Sequence, residues 1–255
     1  MKLIKVDTTY EPVVILSLNR PEKRNALNAA LINQFCYTFE NITSDPQTRV
    51  VILKGEGAVF CAGLDLHEAQ EAESSGLSGE MVAKLFRTVY SSPCPTIALV
   101  HGAALAGGAG LMAGCDFVIA EENTVIGFPE TRKGLVPALI MPLLMRRMSV
   151  SDLSELLFFE EEIDAQKAFA MKLVNRVVNH EGLMSEALYY AEKVMQGAPE
   201  ATRKTKALLE KFYTPNFSEC LDCALKFHFE ARGSHEAREG IAAFIEKRKP
   251  NWANS

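Results

Sequence analysis

One tryptophan in 255 residues, six cysteines with no framework spacing, and no long apolar run mark this sequence first by what it has little of. No stretch reaches the roughly 18 apolar residues of a membrane span, and Met1 to Asp7, MKLIKVD, lacks the apolar centre of a secretory leader. The expectation is a cytoplasmic chain. Basic residues do not exceed acidic ones: 27 Lys and Arg against 32 Asp and Glu leave a net charge of -5. No overall field gathers nucleic acid or an anionic membrane, and Lys247-Arg248-Lys249 is too short a run to change that. The five histidines are far apart and show neither HExxH nor HxH spacing. Cys220-Leu-Asp-Cys223 is a single CxxC inside a helical pattern, with no second pair to complete a zinc site. No metal is implied. All six cysteines (Cys36, Cys61, Cys94, Cys115, Cys220 and Cys223) sit in apolar segments, which suits buried, reduced thiols rather than a disulfide frame. Internal repeats and low-complexity linkers are also missing.

What is present is apolar residues in quantity, 48% of the chain, enough for a large core in one domain or one domain with a helical appendage. Short β-branched runs at Val13–Leu18, Arg49–Leu53, Thr96–Val100 and Asp116–Ala120 read as strands. Between the first two, Asn28 is placed to cap a helix whose Leu31, Ile32, Phe35, Phe39 and Ile42 keep a period near 3.6. Strands alternating with helices predict an α/β fold with largely parallel pairing and crossover helices. From about Ser151 the strand signal vanishes, and Leu183–Met195, Ala201–Phe212, Phe217–Arg232 and Ser234–Lys247 read as helices broken at Gly197-Ala-Pro199, Thr214-Pro215 and Gly233. The expected division is an α/β core over 1–195 and a helical region over 196–255.

The chemistry is suggested by glycine. In HGAALAGGAGLMAGCD, His101 to Asp116, a run of small residues follows a strand and opens an apolar helix, although each glycine costs roughly 1 kcal/mol against alanine in a helix interior. Such a run leaves backbone N–H groups uncovered at a helix N-terminus, where negative charge is stabilised. A second small-residue loop, Gly55 to Leu66, follows the strand ending at Leu53. If the two loops converge, two amides can grip one carbonyl oxygen as an oxyanion hole.

In order and spacing, LNRPEKRNALN (Leu18 to Asn28), GAVFCAGLDL (Gly57 to Leu66), HGAALAGGAGLMAGCD, GFPETRKGLVPA (Gly127 to Ala138) and EGIAAFIEKRKPNW (Glu239 to Trp252) resemble the enoyl-CoA hydratase/isomerase, or crotonase, family. The resemblance implies a crotonase-like ββα spiral with two roughly perpendicular sheets, a C-terminal helical region for trimerisation or as a lid, and homotrimers or dimers of trimers. It implies a CoA thioester as substrate, with no cofactor beyond its CoA moiety and no nucleic acid or membrane partner. The family's oxyanion amides fall on Leu64 and Gly107. CoA contacts fall on Ala26, Ala62, Asp65 and Leu66, with Lys23, Arg24 or Lys247 near the phosphates, and Gly110 and Pro129 are further substrate-binding positions.

One departure is informative. Hydratases of this family usually carry two glutamates, and the resemblance places them at Gly110 and Glu130; only the second is present. Glu130, walled by Phe128, is expected to have a raised pKa suited to proton transfer near neutrality. A single glutamate suffices to shift a double bond, so a 3-enoyl-CoA isomerase is one reading. The GGAGL and ETRKGLVPALIMPLL segments resemble bacterial hydratases that act on methylglutaconyl-type thioesters, so hydration ranks slightly ahead. On that reading Arg132 is a candidate partner for a substrate carboxylate. A non-catalytic CoA-binding scaffold is the third reading.

Overall fold

The computed structural model describes residues 2–70, 78–159, 162–213 and 217–254. β1 (Ile4–Tyr10) and β2 (Val13–Leu18) form an antiparallel hairpin, and β2 then pairs in parallel with β3 (Val50–Gly55). β4 (Thr96–Val100), β6 (Phe117–Glu121) and β9 (Arg176–Val178) extend this sheet, in the order β1-β2-β3-β4-β6-β9. Within this sheet every pairing after the hairpin is parallel, as the alternating pattern predicts; in the second sheet the last pairing is antiparallel.

Parallel neighbours need crossovers. α1 (Ala29–Ser44) joins β2 to β3, and Asn28 caps it, its side chain accepting from the Leu31 amide at 2.9 Å. α2 (Leu66–Gln70) and α3 (Gly79–Tyr90) lie between β3 and β4, and α4 (Gly107–Ala113) between β4 and β6. A second sheet is built from three short strands, β5 (Ala103–Leu105), β7 (Val125–Gly127) and β8 (Glu162–Asp164). Strands therefore continue past Ser151: β8 closes the second sheet and β9 the edge of the first. Each has three residues, too few to show a period of two.

The main sheet is covered on both faces. Leu16, Leu18, Val51, Leu53, Ala98, Val100, Val118 and Ala120 point into the large core with α1, α3 and α4. Their neighbours Val13, Ile15, Val50, Ile52, Ile97, Leu99 and Ile119 pack on Leu183, Ala187 and Ala191 of α8 (Gly182–Met195). Two buried faces explain why these strands read as continuous apolar runs rather than alternating ones.

α5 (Met141–Leu144), α6 (Val150–Phe158) and α7 (Ala165–Ala170) precede α8. The last helices are α9 (Pro199–Tyr213), α10 (Phe217–Arg232) and α11 (His235–Ile245). α10 packs on α3 and α5, and α11 on the 3-10 turn Thr131–Lys133, so the C-terminal helices close over the same chain's cavity. The expected break at Thr214 and Pro215 lies outside the described residues. Cys36, Cys61, Cys94 and Cys115 are buried and free, whereas Cys220 and Cys223 are exposed, against expectation. α10 buries only Phe217, Leu221 and Ala224 along one stripe, and the two cysteines lie off it. No described helix is long and apolar enough to cross a membrane.

Candidate active site

The two small-residue loops converge. The Cys61 amide donates to Ala103 O at 3.1 Å and the Leu105 amide to Cys61 O at 3.0 Å, which stitches the loop after β3 to β5. On its other side the same loop is tied to the 20–27 segment: Leu27 N donates to Gly63 O at 2.7 Å, Asp65 N to Leu27 O at 2.9 Å, and Ala62 N to Arg24 O at 3.0 Å. Glycine is required at the junction, because a Cβ on Gly108 would stand 2.4 Å from Cys61 O.

These bonds consume the amides of Cys61, Ala62, Asp65, Leu105 and Ala106, the last donating to Gly127 O at 2.8 Å. Among the described residues, the amides of Leu64 and Gly107 have no backbone acceptor. Gly107 is the first residue of α4, where an amide has no intrahelical partner. The two residues adjoin: a Cβ on Gly107 would lie 3.6 Å from Leu64 Cγ. Ala106, just before the helix, has φ 48° and ψ -120°, a conformation an L-alanine adopts only under constraint. This turn aims the start of α4. At the far end of α4, half-buried Arg147 donates to Ala113 O at 3.0 Å and to Cys115 O, placing positive charge at the helix C-terminus.

Asn25 holds the outer loop. Fully buried, its side-chain amide donates to Glu56 O, Val59 O and Phe60 O at 2.9, 2.9 and 3.1 Å, and its Oδ1 accepts from the Arg20 amide. Arg20 in turn pairs with Asp65 at 2.8 Å. Burial pushes the Asp65 carboxyl upward, but the Arg20 guanidinium and the amides of Glu68 and His67 outweigh it and hold it below the usual range. Asn25 and Arg20 carried no role in the reading of the sequence. The signal was present in RNAL, but the partners lie some 30 residues on.

A cavity of about 660 Å³ opens beside the paired loops. Its lining includes Lys23, Arg24, Ala26, Ala62, Asp65 and Leu66, and also Leu64, Gly107, Pro129 and Glu130. Val82, Phe86, Leu139 and Ile140 supply apolar wall. Of the remaining candidates, Lys247 is exposed just past α11 and does not line the cavity. Arg132 is likewise exposed on its 3-10 turn and outside the lining. Phe128 is buried in the main core and is not among the residues that line the cavity. Gly110 is buried behind the wall, because a Cβ there would meet Phe86 Cζ at 2.7 Å and Ile140 Cγ1 at 3.1 Å. A glutamate at 110 would have to displace the Phe86 ring.

Glu130 is 9% exposed, and its Oε2 is buried with no hydrogen-bond partner among the described residues. Burial raises its pKa to about 7, against smaller lowering effects from its own amide and Lys133. Unpartnered buried carboxylates are costly and need a reason. A group that titrates at neutrality can both take and return a proton. Among the described residues, no three His, Cys, Asp or Glu side chains cluster as metal ligands.

An α/β spiral of two sheets, with a deep cavity, glycine-rich amide loops and an orphan carboxylate, has the build of a lyase- or isomerase-type enzyme of the crotonase fold. The chain belongs to the enoyl-CoA hydratase/isomerase family, whose model matches residues 8–255. It is 33% identical over 250 residues to a mevalonyl-coenzyme A hydratase of Aspergillus fumigatus, covering 95% of this chain and 92% of that one. It is also 33% identical over 246 residues to a short-chain-enoyl-CoA hydratase of Clostridium acetobutylicum, covering 93% and 92%. The crystal structure of an enoyl-CoA hydratase from Mycobacterium avium superposes with a TM-score of 0.88 at 31% identity, covering 99% of both chains.

Proposed function

We propose that the protein adds water reversibly across the double bond of a 2-enoyl-CoA, with Glu130 as its sole proton-transfer group. The observation that carries this is the Glu130 Oε2 atom, buried without a partner in the cavity that Leu64 and Gly107 also line. The Leu64 and Gly107 amides hold the thioester oxygen, and negative charge developing there meets fixed dipoles that need no reorganisation. Ionised Glu130 takes a proton from water as the water oxygen bonds to C3. The electron pair of the C2–C3 bond moves to the thioester enolate. Protonated Glu130 then returns the proton to C2, so one water is consumed and the carboxylate is regenerated. Lys23 and Arg24, exposed at the cavity edge, suit the CoA phosphates.

The packing at Gly110 favours a second reading: with that position closed to a side chain, a lone carboxylate can also shift a double bond, moving a proton from C2 of a 3-enoyl-CoA to C4. Incubation with crotonyl-CoA and 3-hexenoyl-CoA separates the two. Hydration yields 3-hydroxybutyryl-CoA; conversion of the 3-enoyl substrate with no hydroxyacyl product from either would reject it. A non-catalytic scaffold has no use for an unpartnered Glu130, and inertness toward both thioesters would favour that role.

We also infer a homotrimer or a dimer of trimers, because Phe227, Phe229 and Phe244 on α10 and α11 are 58%, 45% and 51% exposed. Ile241 does not contribute, being buried at 7%. A stable 28.1 kDa monomer in sedimentation at micromolar concentration would contradict assembly.

A further inference from the structure

Glu130 stands at the head of the 3-10 turn Thr131–Lys133, and its carbonyl accepts from the amides of Lys133 and Leu135 at 2.9 and 3.0 Å. The turn ends at Gly134, with φ 65°. α11 lies directly on it, backbone against backbone. A Cβ on Gly134 would collide with the Glu236 carbonyl and stand 2.8 Å from Ala237 N. From the other side, a Cβ on Gly240 would collide with the Lys133 carbonyl and stand 2.9 Å from Lys133 Cα. Glu236 and Gly240 are one helical turn apart, so the turn and the helix each supply a glycine that lets the other's main chain in. Phe244, one helical turn further on, extends this clasp: the Lys133 ammonium lies over its ring, 4.6 Å from the centroid. α11 also packs on α2, which begins two residues after Leu64. One helix therefore touches both the segment that follows the acid–base group and the segment that follows an oxyanion amide.

We infer that α11 is a positioning element for Glu130: its clasp through Gly134 and Gly240 fixes the turn behind the carboxylate and keeps bulk water from it. This rests on reading Glu130 as the proton-transfer group. Neither glycine touches the reacting atoms; both act through the turn. A side chain anchored on a turn moves when the turn moves, and a displacement of about 1 Å is enough to slow a positioned reaction. Burial is the largest influence on the Glu130 carboxyl and raises its pKa to about 7, so loosening the clasp should admit water and bring that value down. The charged groups on the surrounding elements do not account for the raised value. Lys133, on the same turn, acts to lower it. On α11, Glu236 is exposed and Glu239 is paired with Arg248. Towards α2, Asp65 is paired with Arg20, and His67 and Glu162 line the cavity without being among the groups that shift Glu130.

The test is titration of the Glu130 carboxyl itself in the full-length protein, followed by its carboxylic C=O infrared band as the difference between each protein and the same protein carrying Glu130→Gln. In Gly240→Ala the added methyl pushes α11 off the turn; in Ile241→Ala the same buried face loses bulk instead. Gly240→Ala should lower the titration midpoint by about one unit, and Ile241→Ala should move it in the same direction. The pH midpoint of kcat/KM for crotonyl-CoA should fall with it. Gly233→Ala, where a Cβ meets nothing closer than 3.5 Å, should leave the midpoint unchanged. If Gly240→Ala does not accumulate as folded protein, Ile241→Ala decides alone. An unmoved midpoint in a folded variant overturns the inference, because a merely structural helix would cost stability without changing how Glu130 titrates. Failure of the hydratase reading looks different: crotonyl-CoA stays unhydrated while the Glu130 midpoint still shifts.

Discussion

Phe86 Cζ lies 2.7 Å from the point that a Cβ on Gly110 would occupy, so any side chain at this position of α4 must displace the Phe86 ring. A glutamate placed at 110, where the family usually carries one, meets this ring before it reaches the cavity. Gly110→Glu should lower stability by about 1–3 kcal/mol through overpacking and give no gain in crotonyl-CoA turnover, while Phe86→Ala in the same chain should recover much of the loss. Thermal melts of the single and double variants check this.

The latch at Asn25 gives a second expectation. Asn25→Ala strips three carbonyls, Glu56 O, Val59 O and Phe60 O, of their buried donor and frees the loop that carries Leu64. Stability should fall by about 3 kcal/mol in urea unfolding, and turnover should fall with it. A loss below about 1 kcal/mol would show that the loop is held by its backbone bonds alone.

How much of this was legible follows from where the physical signal lies. β2, β3, β4 and β6 were readable because burial on both faces makes each a short β-branched run. β8 and β9 were not, since three residues carry no period and their pairing is decided by distant strands. Asn28 was legible as a cap because its partner is three residues away; Asn25 was not as a latch, because its partners are 31 to 35 away. Leu64, Gly107 and Glu130 stood in motifs and were found as candidates. Phe86, His228 and Arg232 reach the cavity from helices whose sequence pattern shows only amphipathic packing. Arg132 looked suitable by position in its motif, yet its 3-10 turn carries it outside the lining.

Glu130 also sets a pH dependence whose sign is fixed by its raised pKa. The unfolded carboxyl titrates near 4.5 and the folded one near 7, so the folded state holds the extra proton between them. The favourable contribution is complete below about pH 4.5 and is lost as pH rises through 7, amounting to about 3 kcal/mol. Glu130→Gln should therefore match the parent near pH 4.5 relative to its own baseline and be the more stable protein by up to that amount above pH 7. Urea unfolding at several pH values checks this, and parallel stability curves would contradict it. Hydration by ionised Glu130 should correspondingly give kcat/KM that rises with pH around an apparent pKa near 7.

The central claim is that one carboxylate moves every proton while two amides hold the thioester, and it is tested most directly by crotonyl-CoA turnover and binding in the Glu130→Gln variant. Glutamine keeps the shape but cannot accept and return a proton. Hydration should fall by at least about 100-fold, while the dissociation constant for crotonyl-CoA stays within a few-fold of the parent value. Turnover near the parent rate, in a folded variant that binds the thioester normally, would show that another group carries the proton.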